Sequence, residues 1–256
     1  MILKGNVFST KLEMETEISI LFSSKFDRNK EFKVIYLLHG MCGDSNNWID
    51  YTMLPIYANN YNAVFIMPSI VRSFCANMKY GQKYFSYITE ELPEICKNMF
   101  NIHTKKENTI IMGNSMGGYS ALKCALSKPE LYGYCCAFSS ACLFMKEDLE
   151  NHPTTESFQR DYGEQLLRDF QAILGENLQW NPENEILSLA KKITLSTKPT
   201  IFCSCGTDDA MRISNQQFAS YMKDLGFNFT YEEWSGNHDF YFWNEALKKS
   251  LEKIFQ

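Results

Sequence analysis

Gly113-Asn114-Ser115-Met116-Gly117-Gly118 forms a G-x-S-x-G sequence set directly after an apolar run that ends at Met112 and directly before a helical pattern. A serine placed there stands on a sharp strand-to-helix turn, and glycines two residues to either side let neighbouring backbones approach where a Cβ would clash. The free N–H groups at the start of the following helix favour developing negative charge. The chemistry this suggests is nucleophilic attack by Ser115 on an acyl carbon. A hydroxyl is a weak nucleophile at neutral pH, so it needs a base that takes its proton and returns it to the leaving group.

Of the four histidines, His103 lies in a polar connection, His152 in a charged stretch, and His39 in the turn before Gly40. His238, in Ser235-Gly236-Asn237-His238-Asp239, is late in the chain, as the order serine, acid, histidine of a strand–turn–helix nucleophile requires. The acid belongs at the carboxyl end of a strand between the two, where it fixes the imidazole tautomer and stabilises the imidazolium. Cys205-Gly206-Thr207-Asp208-Asp209 offers two adjacent carboxylates there, and spacing does not choose between them. A tetrahedral intermediate also needs two backbone donors, each often worth about 3 kcal/mol. Met116 N–H, one past the nucleophile, supplies the first; the glycine-rich His39-Gly40-Met41-Cys42-Gly43 supplies the second, from Met41.

The segments that must hold these residues alternate between strand-like and helix-like patterns, which predicts an α/β fold. Residues 2–9 and 12–22 read as an antiparallel hairpin turning at Thr10-Lys11. Short, nearly continuous apolar runs at Lys33–Leu38, Ala63–Met67, Thr109–Met112, Tyr134–Phe138 and Thr200–Cys203 read as strands buried on both faces, followed by a last strand at Asn228–Glu233. Helical patterns fall at Tyr84–Met99, with a kink expected at Pro93, and at Met116–Ser127, Ser214–Leu225 and Phe240–Ile254. Residues 141–195 break the rhythm with charged stretches, Pro153, Pro182 and a weak helical segment at Glu164–Leu174. They read as a lid inserted over the carboxyl edge of the sheet, where substrate crevices of open α/β sheets lie.

The 256 residues carry no repeat or linker, and 45% of them are hydrophobic, enough for one core and a single domain spanning 1–256. The net charge of −5 comes from interspersed acids and bases, so no basic stripe is available for nucleic acid or an anionic membrane. The N-terminus does not read as a signal peptide, and no apolar run approaches the roughly 20 residues a spanning helix needs; a cytoplasmic protein is expected. Nine cysteines, an odd number scattered through apolar segments, read as reduced thiols filling core space. Cys203 and Cys205 share a strand face, but no second pair of cysteine or histidine lies near in sequence, so no metal is expected. Sheet edges and aromatics in 141–195 leave a homo-oligomer as an open expectation.

The segments YLLHGMCGDSNNW, YFSYITEELP, GNSMGGYSAL and SGNHDFYFW resemble the oxyanion loop, pre-nucleophile helix, nucleophile elbow and histidine segment of an esterase family within the α/β-hydrolases. That family contains esterase D (S-formylglutathione hydrolase), tributyrin esterases, feruloyl esterase domains and mycolyltransferases, and the small bacterial tributyrin esterases are the most similar branch. The resemblance runs over nearly the whole chain and is weakest in 141–195. It implies an α/β-hydrolase fold: a mostly parallel central sheet with an N-terminal antiparallel hairpin and helices on both faces. It implies a serine carboxylesterase acting on short-chain acyl esters without a cofactor, with acetyl or feruloyl groups of plant polysaccharide, or S-formylglutathione, as alternative substrates. The triad it implies is Ser115, Asp209 and His238, with Asp208 as the alternative acid. Trp48, in the NNW segment, is read either as a pocket wall or as packing for the loop. A reading of another class, an inactive binding module on the same fold, is opposed by the presence of nucleophile, acid, histidine and oxyanion loop in the right order.

Overall fold

The structure is a computed structural model that describes residues 1–194 and 197–256. Eight strands form one sheet: β1 Ile2–Ser9, β2 Met14–Phe22, β3 Lys33–Leu38, β4 Ala63–Pro68, β5 Thr109–Asn114, β6 Tyr134–Phe138, β7 Thr200–Gly206 and β8 Phe229–Trp234, in the order β1-β2-β4-β3-β5-β6-β7-β8. β1 and β2 pair antiparallel, β2 joins β4 antiparallel, and every pairing from β4 to β8 is parallel. The sheet is the expected mostly parallel one with an antiparallel hairpin at its edge.

Alternation along the strands divides the core in two. Val34, Tyr36 and Leu38 of β3 face one hydrophobic cluster with helices Leu92–Phe100 and Met116–Ser127, while Ile35 and Leu37 face a second with Trp48, Leu54 and helix Phe240–Ile254. Strands covered on both faces need apolar residues on both, which is why the central runs show no polar alternation. Helix Met116–Ser127 is buried from Met116 to Leu126, so it is held by packing all round rather than along one stripe.

Several elements end away from the sequence-predicted boundaries, each for a local reason. β5 and β7 run on through Gly113-Asn114 and Ser204-Cys205-Gly206, polar residues that read as loop but pair with β6 and β8. The helix expected over 84–99 is interrupted: Tyr87–Glu91 widens to a π-turn, in which the Leu92 N–H bonds to the carbonyl five residues back, immediately before Pro93. A proline has no N–H for the preceding turn, and widening absorbs the loss. Residues 141–194 contain four α-helices, Met145–Asn151, Thr155–Tyr162, Glu164–Leu174 and Ile186–Lys192; residue 195 lies outside the described residues. These helices pack into the same cluster as the sheet, through Phe158, Phe170, Ile173 and Ile186. Polar ties also hold the segment to neighbouring elements, among them the Arg72–Asp169 ion pair at 2.6 Å and the bond from the buried Tyr119 hydroxyl to the Asn184 carbonyl, also 2.6 Å.

All nine cysteines are free, and seven are buried as the apolar fillers they were expected to be. No helix among the described residues is long and apolar enough to cross a membrane.

The hairpin turn covers residues 10–13, so β2 starts at Met14 rather than at residue 12. One carboxylate organises it. Glu91, across the fold, accepts from the Thr10 N–H at 2.7 Å, the Thr10 hydroxyl at 2.6 Å, the Lys11 N–H at 3.2 Å and the Ser9 hydroxyl. Burial favours the neutral acid, but these donors outweigh it and hold the Glu91 carboxyl below its ordinary range. A carboxyl depressed on folding adds stability that is fully present above its unfolded pKa, about 4.3, and is lost as pH falls through the folded value. Glu91→Gln should cost about 1–3 kcal/mol at neutral pH in chemical denaturation. The difference from wild type should shrink on acidification below about pH 4.

Candidate active site

Ser115 sits between the end of β5 and helix Met116–Ser127 with φ 54° and ψ −119°, a backbone conformation rare for any residue with a side chain. Such strain costs about 1–3 kcal/mol and persists because the surroundings over-determine it. The Ser115 N–H donates to the Phe138 carbonyl at 2.9 Å, while its own carbonyl accepts from Tyr119 and Ala141. The flanking glycines have no room for side chains. A Cβ on Gly113 would lie 2.3 Å from the Gly117 carbonyl oxygen, and one on Gly117 would lie 2.3 Å from the Leu38 carbonyl oxygen.

The acid and the histidine are joined by a second close backbone approach. A Cβ on Gly206 would lie 2.1 Å from the Gly236 carbonyl oxygen, and two bonds, Thr207 N–H to Trp234 O at 2.9 Å and Asp208 N–H to Gly236 O at 3.0 Å, zip the loop after β7 to the loop after β8. His238 then lies between Asp209 and Ser115. Its Nδ1 is 2.9 Å from Asp209 Oδ2 and 3.1 Å from Oδ1, and its Nε2 is 2.9 Å from Ser115 Oγ. Edge-to-face packing on Trp243, ring centroids 5.0 Å apart, fixes the imidazole plane.

Of the two adjacent carboxylates, Asp209 faces the histidine and Asp208 is exposed. Asp209 is only 5% exposed, and burial alone would push its carboxyl up. The His238 N–H and the Met211 N–H, the latter at 2.8 Å, more than compensate and hold it below the ordinary carboxylate range. A carboxylate kept ionised at that position orients Nδ1–H toward itself and leaves Nε2 free to accept from Ser115.

His39 has a role that its sequence position did not suggest. It is 1% exposed; its Nε2 accepts from the Ile70 N–H at 2.9 Å, so Nδ1 carries the proton and donates to the Gly40 carbonyl at 2.7 Å. Burial lowers its pKa and keeps it neutral. Gly43 N–H also donates to the Gly40 carbonyl, at 3.0 Å. With that carbonyl fixed by two donors, the planar trans peptide directs the Met41 N–H the opposite way. Gly40 itself lies against Ser115, a Cβ there reaching 3.6 Å from the serine Cβ. Neither the Met41 N–H nor the Met116 N–H has an acceptor among the described residues.

Trp48 is not a pocket wall. It is fully buried, its indole N–H donates to the Leu38 carbonyl at 3.1 Å, and it packs on Phe138 and Phe240. A tryptophan in a short helix next to a core strand buries more area by supporting the loop from beneath than by facing solvent. His103 is exposed, and His152 pairs with Asp161 at 3.1 Å; neither is joined to Ser115. Among the described residues no cluster of three or more histidine, cysteine, aspartate or glutamate side chains is arranged to hold a metal ion.

Comparison with known proteins agrees with this architecture. An acetyl esterase of Caldicellulosiruptor saccharolyticus is 27% identical over 98% of this chain and 97% of its own length. S-formylglutathione hydrolase of Mus musculus is 39% identical over 64 residues, 25% of this chain and 22% of that protein. In fold, the chain superposes with a TM-score of 0.83 on a fluorophosphonate-binding serine hydrolase of Staphylococcus aureus, 24% identical, covering 100% of this chain and 98% of that one. The family described as "Putative esterase" matches residues 9–254. That match leaves only the two ends of the chain outside it, and the chain belongs to this esterase family, as an enzyme of α/β-hydrolase fold that hydrolyses carboxylic esters.

Proposed function

We propose that the chain is a serine carboxylesterase that hydrolyses short-chain acyl esters through an acyl-enzyme, with Ser115 as nucleophile, His238 as general base and acid, and Asp209 as the orienting carboxylate. The observation that carries this reading is the unbroken hydrogen-bond relay from Asp209 through His238 to Ser115 Oγ, each link near 2.9 Å. Ser115 Oγ attacks the ester carbonyl as His238 Nε2 takes its proton, and the imidazolium formed is stabilised by Asp209. The charge on the carbonyl oxygen is met by the Met41 and Met116 N–H groups, donors fixed in place before substrate arrives. Collapse of the tetrahedral adduct breaks the bond to the alcohol oxygen, which leaves with the proton from His238. Water, deprotonated by the same histidine, then attacks the acyl carbon, releasing the carboxylic acid and restoring Ser115.

A short acyl group is favoured by the nearly full-length similarity to an acetyl esterase. Thioester hydrolysis of S-formylglutathione is a second reading, motivated by the higher identity to the mouse hydrolase over a quarter of the chain. We read 141–195 as the segment that sets acyl selectivity, since it opens at Ala141, whose N–H donates to the Ser115 carbonyl at 3.2 Å.

Initial rates on p-nitrophenyl esters from acetate to octanoate, methyl ferulate and S-formylglutathione test the substrate class. Turnover is expected to be fastest on acetate to butyrate, and a preference for octanoate or the thioester would overturn that reading. Ser115→Ala, folded by circular dichroism, should lose about 10⁴-fold or more in kcat and fail to react with a fluorophosphonate. Asp209→Asn should lose about 10³–10⁴-fold, because an amide neither holds the required tautomer nor stabilises an imidazolium. Asp208→Asn should stay within about twofold of wild type, having no contact with the histidine. Equal losses in the two aspartate variants would show the acid to be wrongly assigned.

A further inference from the structure

The helix that begins at Ser115 carries a second ionisable group eight residues further on. Lys123 is only 4% exposed, a rare state for a lysine. Its Nζ donates to Asn184 Oδ1 at 2.6 Å and lies 5.6 Å from the centre of the Phe85 ring. No carboxylate lies within ion-pair distance of it among the described residues. An amide oxygen and an aromatic face offset part of the desolvation of an ammonium, and a buried charge without a counter-ion is a strongly unfavourable arrangement. Burial lowers the Lys123 pKa to about 8, which leaves the group mostly charged at pH 6.5.

Lys123 borders a cavity of about 930 Å³ between helix Met116–Ser127 and residues 173–194. The size is within the range that takes small organic ligands. Phe85, Leu126, Ile173, Leu174, Trp180 and Leu189 supply apolar wall. None of Ser115, Asp209 and His238 borders the cavity, and eight helical residues put Lys123 about 12 Å along the axis from the serine.

We propose that this cavity is a second binding site, for a small organic carboxylate whose charged end rests on Lys123 Nζ and whose apolar body lies against Phe85 and Trp180. One buried counter-charge beside apolar walls matches a monoanion with a hydrophobic body. Glu90 and Glu183 also border the cavity together with Lys79, Lys128 and Lys192, so its rim carries both signs and Lys123 is the one buried charge among them. A lysine that served only to hold Asn184 could be replaced by a neutral donor without burying a charge.

Calorimetric titration with benzoate, with benzamide as its neutral counterpart, tests this on the intact chain. Wild type near pH 6.5 should bind benzoate at one site, and benzamide about tenfold more weakly or worse. Lys123→Met should weaken benzoate about tenfold or more, while Ser115→Ala should leave it unchanged, which separates this site from the esterase centre. Wild-type affinity should begin to fall near pH 8 and be about tenfold lower toward pH 9.5, whereas a lysine with the ordinary value of about 10.4 would leave it unchanged over that range. The proposal is overturned if benzoate does not bind up to about 10 mM. Equal binding of benzoate and benzamide, or by wild type and Lys123→Met, would overturn it too, as would loss of benzoate binding in Ser115→Ala. Should Lys123→Met fail to fold, the benzoate–benzamide pair and the pH series on wild type decide the matter alone.

Discussion

The close approach of helix Met116–Ser127, which follows directly on Ser115, to the ends of β3 and β5 is the constraint on which the site depends. With Gly117 lying against the carbonyls of Leu38 and His39, and Gly113 against Gly117, the helix starts as low over the sheet as bare backbone allows. The turn between them is then so tight that Ser115 is driven to positive φ, and its hydroxyl stands clear of the sheet. The same contact sets the separation between Ser115 and the loop His39–Gly43, because that loop is the direct continuation of β3. A Cβ at either glycine would displace the helix, the serine and the loop together.

Asp209 and His238 depend on a related device on the other side of the site. Gly206 and Gly236 let two loops touch through their backbones, so that Asp209 and His238 are related by peptide geometry rather than by the reach of their side chains. Precision in a site of this kind comes from elements whose positions are already fixed. The buried His39 extends the principle: a neutral imidazole, locked in one tautomer by Ile70, fixes the Gly40 carbonyl and with it the orientation of the Gly40–Met41 peptide.

Much of this was legible in the sequence, and the reasons it stopped are physical. The elbow was readable because glycine spacing, a preceding apolar strand and a following helix each signal the same turn. His238 was readable from chain order. The choice between Asp208 and Asp209 was not readable from spacing, since one residue of loop rotates a side chain from solvent to core; resemblance to the esterase family pointed to Asp209, the carboxylate that faces the histidine. Trp48 illustrates a different limit, for a pocket wall and a buried support have the same composition and differ only in which side is covered. The short helices at Met145–Asn151, Thr155–Tyr162 and Ile186–Lys192 left little periodic signal, because helices of seven or eight residues are held by tertiary packing more than by their own propensity.

The grip of Glu91 on the hairpin turn has a consequence for the lifetime of the folded state. The hairpin is local in sequence and can form early, but its hydrogen bonds to Glu91 span about 80 residues and require the sheet and the pre-nucleophile helix to be in place. Contacts absent from the folding transition state leave the folding rate untouched and act on the barrier to unfolding. A single carboxylate near the antiparallel edge of the sheet therefore acts as a kinetic clasp. It opposes the detachment of β1, one of the two edge strands of the sheet, whose unpaired backbone groups are a template for pairing with another chain.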